Sequence, residues 1–356
     1  LNFAGGQLDG SHTLRGNFNW SAGNWNTGGT TTIASDGILN VTAAADHNFS
    51  SRALSNNGVI NWQEGYLRSG NSGSLTNASG AFFNDSASSH IDNPFGGSFG
   101  FTNNGTYNKT AAGTSHLGVP FTNAGIASVQ LGEFRLNGGG TNASTGVFHT
   151  STGALTTFNG NYALANGTQL LGAGVYQLTS GALTVTGSLR ADTFNFNGGQ
   201  LQGSHTLHGT FNWSGGDWNG SGSTAIANDG VLSVTGVGDH NFSGRAVTNS
   251  GVFNWQGGYL RSGDNGTLLN LADGIVNDTA SSHLDNPFGG TFSFTNNGVF
   301  NKSAAGITSI DVPFVNNNGA IFVSAGTLRF ASSFQQSAGT VAVANGAIVQ
   351  FDQGLN

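Results

Sequence analysis

The chain has 356 residues, with 59 Gly, 4 Pro and only 8% charged side chains, against 10% aromatic residues that include 26 Phe. That charge fraction is far below the roughly 25% of an average domain, yet the apolar content is too high for a disordered chain, so a packed core under an Asn, Ser, Thr and Gly surface is expected. A net charge of −7 without a basic run argues against nucleic acid as a partner. The absence of Cys excludes disulfides and thiolate metal sites, and no run approaches the ~18 apolar residues of a membrane-spanning helix.

The first stretch announces a long repeat. Leu1–Trp20, LNFAGGQLDGSHTLRGNFNW, reappears as FNFNGGQLQGSHTLHGTFNW at Phe194–Trp213, and Asn84–Gly97 reappears at Asn277–Gly290. Trp20 and Trp213 are separated by 193 positions, as are Asn84 and Asn277. About three in five of the first ~120 paired residues are identical, the mark of an internal duplication. Residues 1–193 are therefore read as one repeat unit and 194–356 as a second, truncated copy, without a linker. A one-residue insertion near Asn316–Asn318 shifts the register, which returns by Gly339. The chain opens at Leu1 with neither Met nor a signal-like segment, so it is read as part of something longer.

A short repeat lies inside the long one. A glycine followed two positions later by an apolar residue recurs at Gly16, Gly37, Gly58, Gly80, Gly105, Gly125, Gly146, Gly167, Gly187 and Gly209. Nine steps of about 21 residues thus build one unit. Two residues after the glycine, Phe18, Leu39, Ile60, Phe82, Tyr107, Ala127, Phe148, Gln169 and Leu189 are expected to point inward. Their successors, among them Asn19, Asn40, Asn61, Phe83, Asn108 and Leu170, are expected outward. Within Gly58–Ser79, three apolar beats (VINW, YLRS, SLTN) with period-two alternation are separated by glycine-bearing turns. No stretch supports a helix of ordinary length, since Gly interrupts each one at a cost of ~1 kcal/mol. The predicted fold is all-β, a single-stranded parallel β-helix of ~21-residue, three-strand coils, about 17 in all, with apolar ladders inside and Asn and Thr ladders at turns. A β-sandwich or a propeller is the alternative, although propeller blades run to about twice this period.

The G-x-F/L/V-x-N/W coils, Asn-Gly turns, low charge and lack of Cys resemble secreted and surface β-helix proteins of bacteria, nearest the autotransporter passengers and filamentous-haemagglutinin-type adhesins. The resemblance spans the whole chain by style and periodicity, without a diagnostic motif. It implies an extracellular, rod-shaped protein with structural or adhesive duty, whose coils continue in a longer chain or associate end to end, and it transfers no binding residue.

Candidate chemistry is sparse. Glycoside cleavage by a β-helix enzyme, the third functional option, requires acids gathered on one face. Here the two glutamates, Glu64 and Glu133, have Gly257 and Thr327 in the copy. Asp85, His90 and Asp92, matched by Asp278, His283 and Asp285, fit a polar turn better than a metal or catalytic cluster. Neither a catalytic nor a metal-ligating set is assigned, and no cofactor is expected. An ice-binding face would need T-x-T in every coil, but Thr30-Thr31-Thr32 has Ser223-Thr224-Ala225 as its counterpart. Alternation does place Tyr66 with Arg68, and Tyr259 with Arg261, on one outer face, where a ring could stack on a sugar and a guanidinium receive a carboxylate. The bland reading is a surface pair stacked on its neighbours in adjacent coils. Trp25 and Trp218 fall in turns and complete the set of candidate glycan-binding residues. Trp20, Trp62, Trp213 and Trp255 share the parity of the inward positions and are assigned to the core.

Overall fold

Alternation of apolar and small polar residues becomes, in the computed structural model, short strands paired in parallel from coil to coil; the structure describes residues 1–353. Among them there is no helix, and none long and apolar enough to cross a membrane. The fold is a parallel β-solenoid of about 17 coils at ~21-residue spacing, and it falls into two compact units, Leu1–Gln177 and Leu178–Asn356. The boundary lies ahead of Phe194, where the second sequence copy begins.

In the first unit a full coil consists of three strands, for example Arg52–Asn56, Val59–Trp62 and Tyr66–Arg68. Each pairs with its equivalent in the next coil: Leu54 with Leu75, Ile60 with Phe83, Leu67 with Ile91. Successive residues alternate between core and surface, so Ile60, Trp62, Leu67 and Leu75 are all buried. The second unit repeats the scheme with Arg245–Asn249, Val252–Trp255 and Tyr259–Arg261. Near the start of each sequence copy the corner between the first two strands straightens, giving continuous strands such as Gly29–Val41 and Gly222–Val234.

Two of the repeating glycines prove to be insertions rather than rungs. Val59 pairs with Phe82 and Ile60 with Phe83, so Ala81, not Gly80, continues the column of Gly37 and Gly58. Gly80 is the extra residue, at φ +80 in a turn closed by Ala81 N–H to Ala78 C=O. The slip reverses the expected faces: Phe83 is buried and Phe82 is 47% exposed. Gly167 does the same four coils further on, burying Leu170 and exposing Gln169. Gly187 also leaves the series, because Ala191 is the residue paired with Gly209. From Gly37 onward the rung glycines of the first unit are sterically required. A Cβ on Gly105 would stand 2.4 Å from the carbonyl oxygens of both Ala78 and Ala81. The inserted residue near Asn316–Asn318 is absorbed by Asn318 in the left-handed region at φ +67.

Polar side chains are spent along the stack. At an inner corner, Asn56, Asn77, Asn103, Asn123 and Asn142 are buried, each Nδ2 donating to the Oδ1 of the next at 2.7–2.8 Å. On the outer face of the second strand Asn2, Asn19, Asn40, Asn61, Asn84 and Asn108 form a second ladder that donates in the opposite direction. The second unit has its own inner ladder, Asn249–Asn270–Asn296–Asn316.

Two arginines are wholly buried, against the ordinary rule for charged side chains. Arg52 donates to the carbonyls of Trp25 (2.9 Å), Gly10 (2.8 Å) and Leu8 (3.0 Å) and to the hydroxyls of Thr31 and Thr27. Arg245 repeats this with Trp218, Gly203, Leu201 and Thr224. Neither forms an ion pair among the described residues, and burial lowers Arg245 to about 10. A fixed fork of donors suits bare turn carbonyls as well as it suits a carboxylate.

The Arg245 fork continues outward into a histidine. Because Arg245 Nη1 donates to Thr224 Oγ1, the threonine proton is free to donate to His205 Nε2, 3.0 Å away. Burial, with Arg245 nearby, lowers His205 to about 3. A histidine depressed in the native state leaves stability intact above its unfolded pKa near 6.5, and protons favour the unfolded chain below that. The unfolding free energy of the native chain should therefore fall by about 1.4 kcal/mol per pH unit from this residue between pH 6 and pH 4. His205→Gln should flatten that slope in paired denaturant titrations. The raised carboxyls of buried Asp85 and Asp278 bend the curve the other way below neutrality and are common to both chains. Identical slopes would contradict the assignment.

Candidate functional site

The third strands of successive coils carry the polar side chains with the richest outward geometry. In the first unit Asp46, Tyr66, His90, His116, Arg135 and Thr157 occupy one outward column, in register from strand to strand. The inward partners that fix this orientation are Leu67, Ile91, Leu117 and Leu136, all buried.

The expected pair of Tyr66 and Arg68 does share that outer face, and each is already engaged. The Arg68 guanidinium lies 4.8 Å from the Tyr66 ring centroid, and the His90 ring lies 4.8 Å away at 41°. Arg68 sits between Asp46 (2.6 Å) and Asp92 (3.3 Å), one in each adjacent coil. The second unit reproduces this: Arg261 lies 4.9 Å from the Tyr259 ring centroid, donates to Asp239 at 2.7 Å and is ion-paired with Asp285 at 3.3 Å, and His283 lies 5.0 Å from the ring. The interactions run along the stack, tying three coils together, as the bland reading expects. Beside Tyr66 an open groove of about 430 Å³ is lined by Asp46, Glu64, Tyr66, Ser88 and Ser89 among others.

Trp25 and Trp218, expected to be open in their turns, are buried. Each turn folds its indole back under the coil onto the preceding tryptophan, Trp25 on Trp20 at 3.8 Å and 6°, Trp218 on Trp213 at 4.1 Å and 4°. Buried His47 and His240 pack edge-on against the same Trp20 and Trp213. These tryptophans are core and are withdrawn as ligand contacts. Trp20, Trp62, Trp213 and Trp255 are buried as assigned, each Nε1 donating to the carbonyl of the glycine three residues on.

The Asp85, His90 and Asp92 grouping does not come together. Asp85 is buried and accepts from the Tyr107 hydroxyl, with its carboxyl raised by burial, whereas His90 and Asp92 face outward on the next strand. Among the described residues no three His, Asp or Glu side chains are grouped to hold a metal ion. A two-rank threonine face is also missing. Thr32, Ser55, Thr76, Thr102 and Thr122 do align in one column, but the column of Thr30 continues as Ala53, Ser74 and Gly100.

No family model and no curated protein matches this sequence. The geometry of the strip therefore carries the functional argument by itself. Sequence reasoning passed over His116, Arg135 and Glu133 as members of the strip. A signal was present: His90-Ile91, His116-Leu117 and Arg135-Leu136 each put a polar residue before a buried apolar one, as Tyr66-Leu67 does. Glu133 clasps Arg135 at 2.9 and 3.0 Å and accepts from Thr157 at 2.6 Å and Thr114 at 3.1 Å, which together hold its carboxyl below the usual range despite burial.

Proposed function

We propose that the chain is a structural solenoid segment, a stalk or filament element of an extracellular bacterial adhesin or fibre. The observation that supports this best is the direction in which polar groups are spent. Asparagine amides, buried guanidiniums and the Arg68 and Arg261 ion pairs bond to neighbouring coils, with the Glu133–Arg135 clasp inside one strand as an exception. Side-chain chemistry thus mainly reinforces the stack rather than converging on one spot. Mechanical stiffness follows from backbone ladders reinforced at both faces and corners, and addition of coils, within a longer chain or between copies, extends the same pattern. Negative-stain electron microscopy with limited proteolysis tests this. A slender, protease-resistant particle is expected, and a rounded particle that is digested rapidly would overturn it.

The groove beside Tyr66 favours one second reading, adhesion to a glycan. Its acids and serines offer hydrogen bonds to sugar hydroxyls next to a half-buried aromatic ring. A glycan array on the native chain and on a Tyr66→Ala/Tyr259→Ala chain separates the two. The structural reading expects no retained glycan on either; a glycan held by the first and lost from the second would establish the adhesive role.

A further inference from the structure

We infer that a hollow at the corner between the third and first strands of the second unit is a binding site for a neutral oligosaccharide. Its working groups are Phe288, Asp264, Asn219 and Ser221. None of them belongs to the groove beside Tyr66, and the site stands whether or not that groove binds.

Four successive coils build the corner. Gly220 N–H donates to the Ser243 carbonyl, Gly244 N–H to that of Gly263 and Asp264 N–H to that of Gly289, so the turns stack in step. Asn219 Oδ1 accepts from Ser243 N–H at 2.8 Å, and Ser243 Oγ donates to Asp264 Oδ2 at 2.7 Å. These bonds hold the polar side chains in place and leave part of each unspent. Asp264 Oδ1, Asn219 Nδ2 and Ser221 Oγ have no protein partner among the described residues. Phe288, in the loop after Asp285, is 40% exposed. With Gly220 and Gly244 these residues line one open hollow of about 490 Å³, within the ~300–1,000 Å³ of small-molecule sites. A second hollow of about 390 Å³, walled by Thr184 and Gln202, shares Asn219, Gly220 and Ser221 with the first. The two make a groove along the coils with room for more than one sugar ring.

The lining matches a pyranose. A sugar ring offers a C–H face to an aromatic side chain and, around its rim, hydroxyls that both donate and accept. Phe288 supplies the apolar wall, Asp264 Oδ1 an acceptor, Asn219 Nδ2 a donor and Ser221 either. A hydrogen bond to a carboxylate is about twice as strong as a neutral one, which makes Asp264 the anchor. An acidic sugar would find no free cation here. Arg245, which borders the second hollow, is spent on Trp218, Gly203, Leu201 and Thr224. Asp264 and a net charge of −7 repel a uronate further.

The first unit keeps the frame and changes the chemistry. Asn71 stands where the second unit has Asp264, at the same φ of +51, and it donates to Ser50 instead of accepting. Thr27 and Ser51 replace Gly220 and Gly244, while Asn26 and Phe95 match Asn219 and Phe288. The anchor and the two bare glycines belong to the second unit alone.

Saturation-transfer NMR with maltose, cellobiose, lactose and chitobiose tests the site, with glucuronate as the acidic comparison. Transfer to the ring protons of at least one neutral disaccharide is expected, with a dissociation constant on the order of 1 mM for so open a hollow. Binding that weak is washed from a glycan array, so the two experiments report on different sites. Phe288→Ala and Asp264→Asn should each weaken binding about fivefold or more. Asn71 already holds the same backbone conformation in the first unit, so Asp264→Asn leaves the fold intact, and unchanged circular dichroism checks this for both variants. Phe95→Ala and Tyr66→Ala/Tyr259→Ala chains should bind like the native chain. No transfer to any of the four disaccharides, or undiminished binding by either second-unit variant, would overturn the assignment. Loss of binding in the Tyr66→Ala/Tyr259→Ala or Phe95→Ala chain would overturn its location. Glucuronate held as well as the neutral sugars would overturn the ligand class.

Discussion

Replacing Arg245 with methionine should lower the unfolding free energy of its unit by about 3–5 kcal/mol, the range for breaking a buried, hydrogen-bonded charge network. Methionine fills much of the arginine stem but donates nothing. The carbonyls of Trp218, Gly203 and Leu201 would then be buried without partners, and Thr224 would lose the donor that orients its hydroxyl toward His205. Trp218 and Gly203 lie outside the strands and Leu201 near the end of one, so the loss falls where the chain has least strand pairing to fall back on. Arg245→Lys should recover only part of the stability, because an ammonium offers three donors from one point where the guanidinium offers five in a fork. Urea titrations followed by far-UV circular dichroism give the comparison, and amide exchange across Leu201–Trp218 should accelerate first. A midpoint unchanged within error would show that the fork is passive filling.

How far the chain could be read beforehand depends on which physical constraint each residue expresses. The coil was legible because period-two alternation and recurring glycine report local backbone geometry, and both repeat often enough to exclude accident. The face of Phe82 and Phe83 was not, because one inserted residue, Gly80, inverts everything after it until the next turn. Spacing by itself does not tell a rung glycine from a turn glycine. What separates them is the oxygen of the previous coil, 2.4 Å from a Cβ at Gly105 and absent near Gly80. Trp25 looked exposed since it sits in a turn, yet a turn fixes chain direction and leaves the ring free to fold onto Trp20. Arg52 and Arg245 were invisible as core residues for a related reason. Their partners are backbone carbonyls, which carry no sequence signature. Tyr66 and Arg68 were placed on the right face by alternation alone, but their engagement with His90, Asp46 and Asp92 needed the register between coils.

The register also predicts that two asparagine ladders of similar appearance differ sharply in worth. Asn103, in the inner ladder, is fully buried. Its Oδ1 accepts from Asn77 and its Nδ2 donates to Asn123 Oδ1 at 2.8 Å and to the Ile126 carbonyl at 3.0 Å. Asn103→Leu preserves volume while stranding the buried Asn123 oxygen and removing the second donor of the Ile126 carbonyl, so a loss of about 1–3 kcal/mol is expected, the cost of one buried group left unpaired. Asn61, in the outer ladder, makes comparable bonds to Asn40 and Asn84 at 2.8 and 2.9 Å, but it is only half-buried. Water can replace its amide, and Asn61→Leu should cost under about 1 kcal/mol. Denaturant midpoints of the two variants, measured side by side, decide whether burial or bond geometry sets the value of a rung. Equal losses would mean that the outer ladder is as dry as the inner one, and the second strand's outer face would then have to be covered by something other than solvent.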